Sequence, residues 1–61
     1  MERKVFKILK RLTKQGYWYK IYDHGNYVII AWRKQREMAE DFASFEVYKN
    51  GEMKGWIPEG L

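Results

Sequence analysis

The chain has 61 residues, and its 12 Lys and Arg against 8 Asp and Glu give a net charge of +4 at pH 7. Cysteine is absent and histidine occurs once, which excludes a disulfide framework and leaves no zinc-ligand set of the usual kind. No apolar run approaches the roughly 18 residues of a membrane-spanning helix. We therefore expect one small cytoplasmic domain over 1–61, without a metal or a cofactor and without contact to a membrane.

The charge is distributed unevenly along the chain. Residues 1–16 carry six cations and one anion, whereas residues 17–61 carry six cations and seven anions. Ten of the eleven aromatic residues lie in that second, nearly neutral part. This polarity predicts a basic helix attached to an aromatic-rich sheet.

Residues 2–15 have the periodicity of an amphipathic helix. Their aliphatic side chains recur at intervals of three and four residues and share one arc of the helix: Val5, Ile8, Leu9 and Leu12. We expect this arc to cover the sheet, and we expect Gly16 to end the helix in a left-handed conformation.

The opposite arc of this helix carries all of its cations: Arg3, Lys4, Lys7, Lys10, Arg11 and Lys14. Like charges at spacings of three and four repel one another, and a merely solvated helix face normally mixes the two signs. The arc is therefore our first candidate binding site. Its partner would be the phosphates of a nucleic acid or an acidic protein surface.

Residues 17–33 predict a β-hairpin whose turn lies at Asp23-His24-Gly25-Asn26. The second strand is apolar without alternation, which is typical of a central strand. Its register remains open at this stage. A loop of two or four residues would place Ile30 on the face of Ile21, and a three-residue loop would place Ile29 there instead.

Residues 34–42 join this hairpin to the next one. They are strong helix formers with few apolar positions, so a short helix and a long charged connection are both consistent with them.

Residues 43–57 predict a second hairpin around Asn50-Gly51. A three-residue loop with Gly51 in a bulge makes one face wholly apolar, and a two-residue loop would mix polar and apolar residues on both faces. Burial penalises a mixed face more than turn type does, so we predict the three-residue loop. It gives the pairs Val47–Met53, Phe45–Gly55 and Ala43–Ile57. Pro58 should then end the strand, with 59–61 as a frayed tail.

The predicted fold is α+β, with the N-terminal amphipathic helix packed on a small antiparallel sheet of two hairpins, in the order α-β-β-(α)-β-β. Trp18 and Tyr22 alternate with Lys20 on one side of the first strand. Exposed aromatics interleaved with lysine can stack on unpaired bases, and we include all three among the candidate nucleic-acid contacts. The alternative is that they cover the second face of a thin domain.

His24 is the one residue suited to acid–base work near neutral pH, and it lies in a turn beside Asp23. The opening segment, from Val5 to Lys10 and through Gly16-Tyr17-Trp18 into a hairpin, resembles the start of HicA-type toxins. Those are small RNA-cleaving proteins with a double-stranded-RNA-binding-like fold. The Gly-Ser-His motif and the closing helix of that family are missing here, so no catalytic residue is carried over.

Three functions follow from these patterns, in descending order. The first is a non-enzymatic module that binds RNA or single-stranded DNA through the basic helix face. The second is a small regulator or inhibitor that binds another protein through its sheet edge and aromatics. The third, a remote alternative, is a small ribonuclease that uses His24 or tyrosine hydroxyls. We also predict weak self-association as a homodimer, because a 61-residue chain without cross-links has a small core and sheet edges to protect.

Overall fold

A computed structural model describes residues 2–34 and 42–61. The elements follow one another as α1 (Glu2–Lys14), β1 (Tyr17–Asp23), β2 (Tyr27–Lys34), β3 (Ala43–Tyr48) and β4 (Met53–Gly55). The strands form one antiparallel sheet in the order β1-β2-β3-β4, with α1 against one face. This arrangement confirms the predicted α+β fold. The helix and loop alternatives for the connection 34–42 fall mainly on residues 35–41, outside the described residues.

Helix α1 has the inward face that its periodicity predicts, and at Glu2–Lys14 it ends one residue before the predicted bounds of 2–15. Ile8 and Leu12 are buried, and Val5 and Leu9 are partly buried against them. The helix ends where Gly16 takes a φ of +82° and its amide donates to the carbonyl of Thr13 at 3.1 Å. Only glycine adopts this conformation at little cost, which is why the helix stops there.

The β1–β2 hairpin closes through a two-residue turn. The amide of His24 donates to the carbonyl of Tyr27 at 2.9 Å, and Gly25 has a φ of +80°. A glycine with positive φ at the first central position is the signature of a type II′ turn, whose twist suits a hairpin. Ile21 therefore lies opposite Ile30, so the alternative with a loop of two or four residues is the one that forms.

The β3–β4 hairpin has the register predicted from its apolar face. Val47 lies opposite Met53 and Phe45 opposite Gly55. The loop is the expected three-residue one, because the amide of Tyr48 donates to the carbonyl of Glu52 at 2.8 Å across it. Gly51 has a φ of +90°, as the bulge requires.

The end of the chain corrects two expectations. The third pair, Ala43 with Ile57, is not part of the ladder, because β4 ends at Gly55, where a φ of +113° turns the chain. The tail is also not frayed. Leu61 packs against the core, and the side-chain amide of Gln15 donates to a carbonyl near it, so the tail buries apolar surface and gains a hydrogen bond.

The core lies between α1 and the sheet. Its buried side chains come from the helix and the first three strands: Ile8, Leu12, Tyr17, Val28, Ile30, Phe45 and Val47. We call the face of the sheet opposite α1 the open face. In the described ranges, 2–34 and 42–61, no helix lies on it. The molecule therefore presents two different surfaces, the outer arc of α1 and the open face.

Candidate nucleic-acid interface

The outer arc of α1 is a concentration of exposed positive charge. Five of its six cations are exposed: Arg3, Lys7, Lys10, Arg11 and Lys14. They are placed there by the helical period, which turns the aliphatic arc onto the sheet and these five cations away from it. We call these five residues the basic stripe.

Lys4 has a different position from the other helix cations. Its side chain is partly buried, and its ammonium group donates a hydrogen bond to the carbonyl of Gly51 in the β3–β4 turn. It therefore joins the helix to the hairpin, 47 residues away in sequence. Because this hydrogen bond ties Lys4 to another element of the described structure, we leave Lys4 out of the stripe.

Within the part of the chain that the structure describes, the charge of the stripe is not neutralised by ion pairing. Among the side chains that the structure describes, no carboxylate forms an ion pair with any of its five cations. An ion pair does occur elsewhere, between Lys54 and Glu52 at 3.9 Å. Lys10 lies 5.4 Å from the centre of the Phe6 ring, a weak cation–π contact at an exposed position. The electrostatic field of the five exposed cations therefore extends into solvent, where it attracts anions.

The other predicted contacts, Trp18, Lys20 and Tyr22, lie on the open face of the sheet. Trp18 is opposite Arg33 and Lys20 opposite Ala31 in the β1–β2 ladder, on the side away from Ile30 and the core. The sheet thus separates these three residues from the basic stripe. The structure brings the helix cations together with one another but not with the aromatics.

The indole of Trp18 is already in contact with a cation. The guanidinium of Arg33 lies 4.7 Å from its ring centre and 5.1 Å from the ring centre of Phe42. Lys20 lies 4.8 Å from the same Phe42 ring. One face of the Trp18 indole is therefore covered, although Trp18 and Tyr22 are almost equally exposed, at 48% and 49%. The open face offers fewer free stacking surfaces than its composition indicates.

The turn end of the open face carries an aromatic row. His24 stacks on Tyr27 at 5.0 Å between ring centres, and Tyr27 lies 5.4 Å from Tyr48. The Tyr48 hydroxyl donates to the Glu46 carboxylate at 2.7 Å, and this hydrogen bond raises the pKa of Tyr48 above its usual 10.0, with burial adding to it.

The carboxylate beside His24 is engaged in the turn. Asp23 accepts a hydrogen bond from the amide of Gly25 at 2.8 Å, so it stabilises the turn through its Oδ1. His24 itself is held by its stacking on Tyr27. The described geometry thus gives the ribonuclease hypothesis no paired acid and base at His24, and that hypothesis gains no support here.

An apolar groove between α1 and β1 is a feature that the sequence reading missed. Val5, Phe6 and Leu9 line it from the helix, and Tyr19 and Ile21 from the strand. Three of these side chains are strongly exposed: Phe6 at 61%, Ile21 at 44% and Tyr19 at 39%. The sequence does show that Phe6 lies at the border between the apolar and basic arcs of the helix. That position predicts a groove only when the strand that packs beside the helix is known.

No helix within residues 2–34 and 42–61 has the length and apolar character needed to cross a membrane. The same residues contain no cluster of three or more histidine, aspartate or glutamate side chains that could hold a metal ion.

Comparison with known proteins adds no relative. No protein family matches the chain, and neither does any curated protein or solved structure.

Proposed function

We propose that this protein binds nucleic acid through the basic stripe of α1, as a non-enzymatic module. The single observation that supports the proposal is a run of five exposed helix cations with no ion-paired carboxylate among the described side chains. Such a stripe repels itself in isolation, and an anionic partner converts that repulsion into attraction. RNA and DNA backbones supply the required density of negative charge.

The dimensions of the stripe suit a phosphate backbone. From Arg3 to Lys14 the helix rises about 16 Å, at about 1.5 Å per residue. A nucleic-acid strand in a regular duplex advances about 3.4 Å per phosphate, so roughly five phosphates fall within that length. Three to five contacts should then give a slope of log K against log[salt] of about −2 to −3.5 for a single strand, and about −3 to −4.5 for a duplex.

The sequence predicts a preference for RNA or single-stranded DNA, and that preference depends on base stacking by residues of the open face. Trp18, Lys20 and Tyr22 lie behind the sheet from the stripe, so a short oligonucleotide on α1 does not reach them. We therefore assign phosphate binding to the stripe. Base stacking on Tyr22 and Trp18 is a second contact, available only to a strand long enough to pass around the sheet edge.

The test is fluorescence anisotropy with labelled 12-nucleotide RNA, single-stranded DNA and duplex DNA between about 25 and 200 mM salt, a range over which phosphate contacts weaken steeply. The decisive variant replaces three stripe residues by glutamine: Arg3→Gln, Lys7→Gln and Arg11→Gln. We expect it to flatten the salt slope by about two units, because each lost contact removes about 0.7 to 0.9. All three side chains are exposed, so the melting temperature should not fall.

A matched control separates the stripe from net charge alone. Lys20→Gln, Lys49→Gln and Lys54→Gln remove the same three charges from exposed positions outside α1. The control should retain most of the affinity and slope. Equal losses in the two triple variants would show that only net charge matters, and a larger loss in the control would move the site to the sheet. Undetectable binding of all three oligonucleotides at the lowest salt would refute the proposal.

A further inference from the structure

Strand β1 is an edge strand with a free row of backbone groups. Within the described residues it pairs with β2 only. The bond from the His24 amide to the Tyr27 carbonyl sets the phase of the ladder, because hydrogen-bonded and non-hydrogen-bonded pairs alternate in an antiparallel pair. Trp18, Lys20 and Tyr22 therefore direct their amides and carbonyls toward β2. Those of Tyr19 and Ile21 point outward from the sheet.

The outward backbone groups belong to the same residues that line the groove between α1 and β1. The side chains of Tyr19 and Ile21 share the face of Trp32 and Ile30, which is the helix side of the sheet. A strand added to this edge would thus bond to Tyr19 and Ile21. Every second side chain of that strand would face Phe6, whose ring is 61% exposed. Backbone pairing and side-chain burial are available at one place.

The charge at the groove is positive. Lys10 and Lys14 lie beside its apolar lining at the Tyr19 end. Asp23 is the one acidic residue among the lining residues, and its Oδ1 already accepts the Gly25 amide. An occupant with acidic residues gains from the lysines, whereas a basic one is repelled.

A second copy of this chain fits the edge less well than an acidic segment. A two-fold pairing that uses all seven residues of β1 places Lys20 directly opposite Lys20 of the other copy. Like charges at directly opposed positions destabilise a strand pair. The pairing would also bring together two chains that each carry a net charge of +4.

We propose that the β1 edge and the adjoining groove bind an extended segment of another protein, with apolar side chains at every second position and acidic residues near Lys10 and Lys14. The segment adds to the sheet as a fifth strand. Its alternate apolar side chains lie on Phe6, Leu9 and Ile21, and its backbone bonds to Tyr19 and Ile21. Strand addition of this kind draws affinity from main-chain bonds and specificity from the alternate side chains.

The first experiment selects binders from a displayed library of random eight-residue peptides against the wild-type protein. We expect enriched peptides to alternate apolar residues and to contain Asp or Glu. A synthetic peptide of the enriched sequence should lose about tenfold in affinity to the variants Phe6→Ala and Ile21→Thr, which corresponds to one buried contact. Trp56→Ala is the matched control, because that side chain is 73% exposed and does not line the groove.

The second experiment reads the backbone directly by amide hydrogen exchange. In the free protein the amides of Trp18, Lys20 and Tyr22 should exchange slowly and those of Tyr19 and Ile21 rapidly. The synthetic peptide should slow Tyr19 and Ile21 by at least about tenfold, since they become paired.

The outcomes are distinct from one another. Failure to enrich any peptide, or binding that leaves Tyr19 and Ile21 unprotected, overturns the proposal. Protection of those amides that rises with protein concentration in the absence of peptide also overturns it, and assigns the edge to a second copy. Phe6→Ala and Ile21→Thr change no charge, so they should leave oligonucleotide binding intact, and this site can fail without the basic stripe failing.

Discussion

Replacing Leu12 by alanine tests the packing on which both proposed sites depend. Leu12 is fully buried, and it is the largest helix side chain in the core with no exposed surface. Removing a buried leucine side chain to alanine costs about 3–5 kcal/mol in unfolding free energy, from lost transfer free energy and the cavity left behind. A 61-residue chain has a total stability of only about 3–9 kcal/mol. The substitution should therefore remove between about a third of the unfolding free energy and all of it.

The same loss can be expressed as a melting temperature. An unfolding entropy of about 2.1 cal/mol/K per residue makes each 1 kcal/mol worth about 8 °C in a chain of this size. Leu12→Ala should then lower the melting temperature by more than about 20 °C. The assays are thermal unfolding, which gives the melting temperature, and urea unfolding, which gives the free energy, both monitored by far-UV circular dichroism. A stabilising osmolyte can restore a folded baseline if the variant is unfolded in buffer.

Phe6→Ala is the matched control on the same helix. It deletes more atoms than Leu12→Ala, but the Phe6 side chain is 61% exposed in the groove. We expect a smaller cost of about 2 kcal/mol or less, since only the buried minority of the Phe6 apolar area loses its contacts. If Phe6→Ala cost as much as Leu12→Ala, or if Leu12→Ala melted within a few degrees of wild type, α1 would not cover the sheet as described. The basic stripe and the groove would then both be misplaced.

Three further predictions concern single contacts. Gly55→Ala should lower the unfolding free energy by more than about 2 kcal/mol in chemical unfolding, because the added Cβ would lie 3.0 Å from the Cα of Phe45 at a φ of +113°. The control Gly25→Ala has nothing within 4 Å of the added Cβ, so it should cost only the left-handed strain of about 1 kcal/mol. The hydrogen bond to a carboxylate raises the pKa of Tyr48 above 10.0 in the folded state, so its stabilisation is present below pH 10 and lost as the pH rises through the folded pKa. The unfolding free energy of wild type should therefore fall more than that of Tyr48→Phe above pH 10. Lys4→Gln should lower stability by about 1 kcal/mol, through the bond to the β3–β4 turn, yet should change the oligonucleotide salt slope less than Lys7→Gln does.

Helix α1 and the last hairpin could be predicted from the sequence because a wrong choice there would expose apolar residues or bury charged ones. The helical period alone separates Ile8 and Leu12 from the cations. In the last hairpin only one register gives a wholly apolar face, and Gly51 supplies the positive φ that this register needs. In both elements, local pattern and burial favour the same answer.

The first hairpin could not be resolved in this way, because both of its registers place aliphatic side chains on the core face. The choice depends on the tight turn at Gly25 and on which residues of β2 are covered by α1 and β3. That choice also decides which face of the sheet carries Trp18 and which carries Ile21. The position of the aromatics relative to the helix cations was therefore decided by the tertiary structure.

The periodicity of the sequence determined that this protein has a basic helix face, but only the tertiary structure determined which parts of its surface are available to a partner. Lys4 joins the other helix cations by spacing, and the β3–β4 turn removes it from them by offering a carbonyl. The strand order decides that β1 lies at an edge, and the position of α1 decides that Phe6 faces a groove. Spacing along a chain fixes which side chains share a face, whereas availability depends on what long-range packing places against that face.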